Sequence, residues 1–307
     1  MSAPTMRAVV LDGKKTVLAG LPLAPPEALE VRVRVELAGI CRTDLLLAEG
    51  HLATPCSSLV LGHELSGVVA ELGAQVQGLG VGDRVAVFPW VGCGSCALCR
   101  DGRPARCGQA SMLGWHRPGA FAEFLTLPAR AVFRVAAGLT PAEVALAEPI
   151  AAALAVLDAG LEPGQRGLIT GASRFALLTE RVLRSAGFDR IDRVSGPAQP
   201  DAYDFAIETA PSGALWAQLM DALVPGGTLV LKSRPAEPVP FDARVVVKKR
   251  LTVRGVDYGR FEDALALLEG RRLKLDDLLG PVYPLADFAA AFAAAAADDA
   301  QKCFLAP

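Results

Sequence analysis

The chain has 307 residues, room for two domains, with 31 Lys+Arg against 33 Asp+Glu and a formal net charge of −2. That balance excludes a general nucleic-acid binder or a polybasic membrane binder, both of which need a basic excess. With 52% hydrophobic and 21% charged residues, a disordered chain is excluded too, and a large core is available.

The N-terminal stretch MSAPTMRAVVLDGKK has no apolar segment ahead of a small-residue cleavage site, so no secretion signal is read there. The first 140 or so residues are β-rich: MRAVVL, LEVRVRVELAG, SGVVAEL, DRVAVF and FAEFLTLP come in short apolar bursts between Gly and Pro clusters. This predicts a compact barrel-like domain with long loops. From Glu143 the character changes, and AEVALAEPIAAALAVLDAG predicts helix stopping at Gly160. Within it, VALAEPIAAALAVL is the nearest approach to a membrane span, and Glu148 and Pro149 interrupt it.

RGLITGASRFALLTERVLRSAG reads as a strand, a glycine turn and an amphipathic helix ending at Gly187, the opening of a parallel α/β unit. YDFAIETA, GGTLVLKS and LTVRGV are further strands, with SGALWAQLMDAL a helix between the first two. FEDALALLEGRR predicts helix, PVYPL an extended segment and DFAAAFAAAAADDA another helix. The order predicts an α/β chain in which a β-rich domain is interrupted by an α/β domain.

Seven cysteines occur, and four of them, Cys93, Cys96, Cys99 and Cys107, stand in the pattern C-x2-C-x2-C-x7-C. Such clustering fits a reducing compartment with a bound metal better than a disulfide framework. Four thiolates in one small lobe match a closed tetrahedral zinc site, with an iron–sulfur cluster as the competing reading. Gly92, Gly94 and Gly102 supply the permissive backbone of a tight loop. Two further segments carry chemistry: GICRTD around Cys41, and GHE around His63, one of only three histidines.

With the four-cysteine lobe, these motifs resemble the zinc-dependent alcohol dehydrogenase family of medium-chain dehydrogenases/reductases. GICRTD, GHE, GVGDRV at Gly80–Val85, GAFAEF at Gly119–Phe124, AEP at Ala147–Pro149 and PGGTLVL at Pro225–Leu231 stand in the family's order. The resemblance covers essentially the whole chain and is closest to short bacterial members. It implies a GroES-like β-rich catalytic domain over residues 1–145, completed by 272–307. A shortened Rossmann-like, doubly wound parallel-sheet domain is implied over 146–271.

The resemblance also implies two zinc ions per chain, a structural one in the four-cysteine lobe and a catalytic one held by Cys41 and His63. Glu64 is then an additional or neighbouring ligand, and Glu148 takes the third protein position. Thr43 matches the hydroxyl that passes the alcohol proton, and Asp44 a group that orients the metal-bound histidine. A histidine three residues after that hydroxyl, present in some relatives, is replaced by Leu46. Leu45–Leu47 and Trp90 are read either as an apolar substrate wall or as ordinary core.

For the cofactor, NAD(H) or NADP(H), the family's G-x-G-x-x-G appears as Gly171-Ala172-Ser173-Arg174-Phe175-Ala176, with only the first glycine kept. Ser173 intrudes where a phosphate normally sits, while its hydroxyl can donate a hydrogen bond. Arg42 and Arg174 are the candidates to compensate. Between Gly187 and Tyr203 the chain has space for one short strand, RIDRVSG, and none for another helix plus strand. An acidic residue to read the adenosine ribose is not evident: Asp189 and Asp192 lie before or within that strand. Arg190 and Arg193 offer a 2′-phosphate contact, and Ser195 completes the cofactor-binding set.

The leading expectation is a cytoplasmic, zinc-dependent NAD(P)-linked oxidoreductase of an alcohol/carbonyl pair. Its substrate is a small molecule, apolar or acyl, and its assembly a homodimer or homotetramer, with no nucleic-acid or membrane partner. Two alternatives stand beside it: an NAD(P)H-dependent reductase of an activated C=C bond, or a non-redox zinc protein whose cofactor site has decayed.

Overall fold

The structure, a computed structural model, describes residues 4–210, 212–235, 238–297 and 299–307. The chain divides into two compact units, Met1–Pro149 with Phe261–Arg271 and Leu275–Pro307, and Ile150–Arg260 with Arg272–Lys274. Helix Phe261–Glu269, assigned from the sequence to the second domain, belongs by its contacts to the first unit. The Phe261 ring lies 5.0 Å from those of Phe88 and Phe133, and Ala136 N donates to Glu269 Oε1 at 2.9 Å. Among the described residues, no helix is long and apolar enough to cross a membrane.

The first unit is β-rich because its strands alternate. In Glu30–Gly39, Val31, Val33 and Val35 are buried while Arg32 and Arg34 point away from the core. That strand is the hub of a seven-stranded sheet, pairing antiparallel with Glu64–Leu72, Phe124–Pro128 and Lys302–Ala306. Lys302–Ala306 in turn pairs parallel with Leu279–Pro284, so the last residues of the chain form an inner strand. A three-stranded sheet of Lys15–Pro22, Thr5–Asp12 and Ser58–Val60 stands beside it. The core gathers Val31, Val33, Leu61, Leu65, Val85, Phe121 and Leu305, and it also takes Leu45 and Leu47. Those two leucines are therefore packing residues and line no substrate wall; Leu46 and Trp90 are half-buried.

The second unit is a five-stranded parallel sheet. Its spatial order is Ile191–Val194, Gly167–Thr170, Tyr203–Glu208, Leu223–Leu231 and Thr252–Gly255. Its inner strands are apolar on both faces, as a sheet covered on both sides requires. Ile169, Phe205, Ile207 and Val230 pack with Ala176, Leu183 and Phe188 on one side, while Leu168, Ala206 and Leu229 pack with Leu219 and Met220 on the other. One strand, Ile191–Val194, is all that the segment between Gly187 and Tyr203 contributes, and it is an edge strand. One half of the doubly wound arrangement thus stops a unit short.

Candidate metal and cofactor sites

Cys41 immediately precedes helix Arg42–Ala48, and Asp44, on the first turn of that helix, organises its surroundings. The fully buried Asp44 carboxylate accepts from Cys41 N at 2.9 Å through Oδ2 and from Gly62 N at 3.0 Å through Oδ1. Asp44 Oδ1 also lies 3.3 Å from Nδ1 of the buried His63. One carboxylate therefore fixes both the cysteine turn and the histidine turn. Burial pushes the His63 imidazole down, but the charges of Asp44 and Cys41, with their hydrogen bonds, outweigh it and hold the pKa well above the usual imidazole range.

The histidine turn depends on Gly62, at φ +93°, where a Cβ would stand 2.5 Å from the Phe121 ring. Gly62→Ala is expected to cost about 1–3 kcal/mol in urea unfolding, from left-handed strain and overpacking, and to weaken metal binding by displacing His63.

Cys41, His63 and Glu64 bring one thiol, one imidazole and one carboxylate donor within 4.8 Å of one another. A zinc ion holding sulfur at about 2.3 Å and nitrogen or oxygen at about 2.0–2.2 Å separates its ligands by roughly 3.5 Å, so this donor set fits one. Thr43 Oγ1 lies 3.9 Å from Cys41 Sγ. Glu148, buried on helix Ala147–Leu154, stands outside this three-donor group.

Glu64 has a second partner that the sequence did not reveal. Lys302, on the inner strand Lys302–Ala306, places Nζ 2.7 Å from Glu64 Oε1 and 2.6 Å from Oε2, and donates to Ile40 O at 3.2 Å. Both side chains are at most 3% exposed. A lysine opening the otherwise apolar run KCFLA was the available signal.

The thiols of Cys93, Cys96, Cys99 and Cys107 also gather within 4.8 Å of one another, with Cys93 and Cys99 3.9 Å apart. Backbone amides converge on the sulfurs: Ser95 N and Cys96 N donate to Cys93 at 3.4 and 3.3 Å, and Gln109 N to Cys107 at 3.4 Å. Hydrogen bonding from the Ser95 side chain, then from the Ser95 and Cys96 amides, pulls the Cys93 thiol down to about 5. Burial first, with the neighbouring thiols, pushes Cys99 up to about 12. Such a group releases protons when it takes up a cation.

In the second unit, strand Gly167–Thr170 turns at Gly171, φ +109°, into the twelve-residue helix Arg174–Ser185. A Cβ on Gly171 would lie 3.0 Å from Thr209 Oγ1. The tight turn leaves the first amides of the helix at the carboxyl edge of the sheet, where a dinucleotide pyrophosphate fits. The Ser173 hydroxyl is turned inward, accepting from Ala176 N at 3.2 Å as a helix cap.

Comparison with known proteins agrees with this geometry. A sequence profile described as the alcohol dehydrogenase GroES-like domain matches residues 27–137. A structure described as a zinc-binding dehydrogenase from Sinorhizobium meliloti, bound to NADP, superposes with a TM-score of 0.89 at 25% identity, covering 99% of this chain and 100% of the other. L-threonine 3-dehydrogenase of Deinococcus radiodurans is 30% identical over 93% of this chain and 92% of its own length. The chain belongs to the zinc-dependent alcohol dehydrogenase family of medium-chain dehydrogenases/reductases.

For this family member, several residues expected to touch cofactor have other engagements. Arg193 pairs with Glu180 at 3.0 Å. Asp192 accepts from Arg166 at 2.9 Å and from the Tyr203 hydroxyl at 3.0 Å. Ser195 follows the edge strand, and Arg42 is exposed. Phe175, on the first turn of the helix after Gly171, faces Lys232.

Proposed function

We propose that this alcohol dehydrogenase family member is a zinc-dependent, NAD(P)-linked oxidoreductase that moves hydride between nicotinamide and an alcohol/carbonyl substrate. The observation that carries the reading is the convergence of Cys41, His63 and Glu64 beside Thr43. Cys41, His63, Glu64 and Glu148 would hold the catalytic zinc, and Cys93, Cys96, Cys99 and Cys107 the structural one. When bound, zinc supplies Lewis acidity at the substrate oxygen and nicotinamide supplies or takes the hydride.

The chain's own residues do the rest. Asp44 orients His63, Lys302 balances the Glu64 charge, and the Thr43 hydroxyl takes the alcohol proton. With Leu46 where some relatives carry a relay histidine, that proton leaves to solvent. Gly171 and the first amides of helix Arg174–Ser185 seat the pyrophosphate. Arg42, Ser173, Arg174, Phe175, Arg193 and Ser195 complete the proposed cofactor set, and the Ser173 hydroxyl also accepts from Ala176 N as the helix cap.

The relatives named as L-threonine 3-dehydrogenases support a small secondary alcohol as substrate. An apolar or acyl substrate has Leu46 and Trp90 as its remaining support, and C=C reduction draws none from these relatives. A cytoplasmic homodimer or homotetramer completes the reading, with no nucleic-acid or membrane partner. An elution volume matching a 32.0 kDa monomer would count against the assembly.

Titration with NADH and NADPH, followed by nicotinamide fluorescence, tests the core of the reading. Saturable binding of one or both is the expected result. No binding of either at millimolar concentration would refute a redox role.

A further inference from the structure

We propose that this chain recognises the nicotinamide nucleotide of its cofactor and hardly the adenosine, so that reduced nicotinamide mononucleotide (NMNH) binds it nearly as well as NADH or NADPH. This rests on the nicotinamide reading above. A doubly wound sheet holds a dinucleotide with two βαβαβ halves, one for each nucleotide. Here the halves are unequal. Strands Tyr203–Glu208, Leu223–Leu231 and Thr252–Gly255, with helices Gly213–Ala222 and Ala243–Lys249 between them, make a complete half. On the other side of the switch stand Gly167–Thr170, helix Arg174–Ser185 and the edge strand Ile191–Val194. Among the described residues, no strand pairs with the outer side of that edge.

The return from the edge strand, residues 195–202, is shorter than the dozen or so residues that a helical crossover takes. Its Ala198 and Ala202 pack on the sheet face of Leu168, Ala206 and Leu229, opposite the face that helix Arg174–Ser185 covers. An extended segment therefore carries the chain straight into the nicotinamide half. The strand and loops that would wall an adenine ring are left out.

At the carboxyl end of the edge strand stand Ser195, Gly196 and Pro197, all exposed, with no carboxylate among them to take the ribose hydroxyls. Asp192 lies earlier in the strand, beside Leu168, where it meets Arg166 and the Tyr203 hydroxyl. Arg190, expected at a 2′-phosphate, precedes the strand and donates to Gly164 O at 3.3 Å, at the opposite edge of the sheet. Arg193 pairs with Glu180 at 3.0 Å, and that carboxylate offsets its charge toward a phosphate. The turn at Gly171, by contrast, keeps its tight geometry. A mononucleotide retains what that turn seats, because a phosphate monoester carries about −1.5 to −2 at pH 7, close to the charge of the pyrophosphate diester.

The test uses zinc-loaded wild type and reads NMNH, NADH and NADPH binding by dihydronicotinamide fluorescence. The three dissociation constants should agree within about tenfold, since even one hydrogen bond from the protein to a charged group supplies about that much or more. Adenosine 5′-monophosphate should displace NMNH no better than inorganic phosphate does. NMNH binding more than about tenfold weaker than either dinucleotide would overturn the proposal, as would a larger preference between NADH and NADPH, or displacement by the adenosine nucleotide well below the phosphate concentration needed. If none of the three nicotinamides binds, the oxidoreductase reading itself fails.

Discussion

Lys302→Met is expected to destabilise the metal-free chain by about 3–5 kcal/mol in urea unfolding, far more than loss of an exposed lysine. The reason is what remains. Glu64 is 2% exposed at its side chain and meets Lys302 Nζ with both carboxylate oxygens, so removing the ammonium strands a charge in the core. The cost is that of the orphaned partner, and the pair itself carries less. Lys302→Met combined with Glu64→Gln should therefore recover most of the loss, because neither charge then survives. Zinc adds a second arm to the test. Glu64 belongs to the donor group with Cys41 and His63, so a bound ion gives the stranded carboxylate another partner, and the zinc-loaded variant should lose less than the metal-free one. A metal-free Lys302→Met chain as stable as wild type would show that the pair carries no such energy.

That pair also marks the limit of what the sequence discloses. The four-cysteine lobe is legible because its ligands fall within fifteen residues, where spacing alone constrains geometry. GICRTD and GHE are legible as chemistry, and Asp44 as the group beside the histidine, because their order carries the family resemblance. The missing strand and helix could be read as well, since fifteen residues between Gly187 and Tyr203 admit no second unit. Lys302 lies 238 positions from Glu64 in the chain, and the two meet because the last strand inserts beside Glu30–Gly39. No local pattern encodes such a pairing.

Leu45 and Leu47 were ambiguous for a related reason. An apolar residue reads alike whether it lines a pocket or fills a core, and packing against Leu61 and Phe121 decides it. The Ser173 hydroxyl had a local alternative, the helix cap, which satisfies an amide that phosphate would otherwise face. Helix Phe261–Glu269 shows the same limit at the level of a whole element. Its pattern fixes that it is a helix, while the rings of Phe88 and Phe133 fix the unit it joins.

Cys41→Ser and Cys93→Ser should separate two metal sites that share one compact unit. The wild-type chain is expected to hold two zinc equivalents by metal analysis; iron with sulfide in the lobe would instead favour the cluster reading of the four thiolates. Cys41→Ser should lose one equivalent and at least about a hundredfold in turnover, since the His63 imidazole and the Glu64 and Glu148 carboxylates make a poor site without the thiolate. Its four-cysteine ion should stay, because nothing in the amide–sulfur network of Ser95, Cys96 and Gln109 involves Cys41. Cys93→Ser should lose the other equivalent and open the lobe to proteolysis. Between Cys93 and Cys107 the regular structure is the four-residue helix Ala97–Arg100 and the short turn Pro104–Arg106, neither with a buried residue. With so little apolar area to bury, the lobe has the metal as its main source of order. A Cys41→Ser chain that loses both ions, or a Cys93→Ser chain whose lobe stays protected without its ion, would mean that the two centres are not independently built.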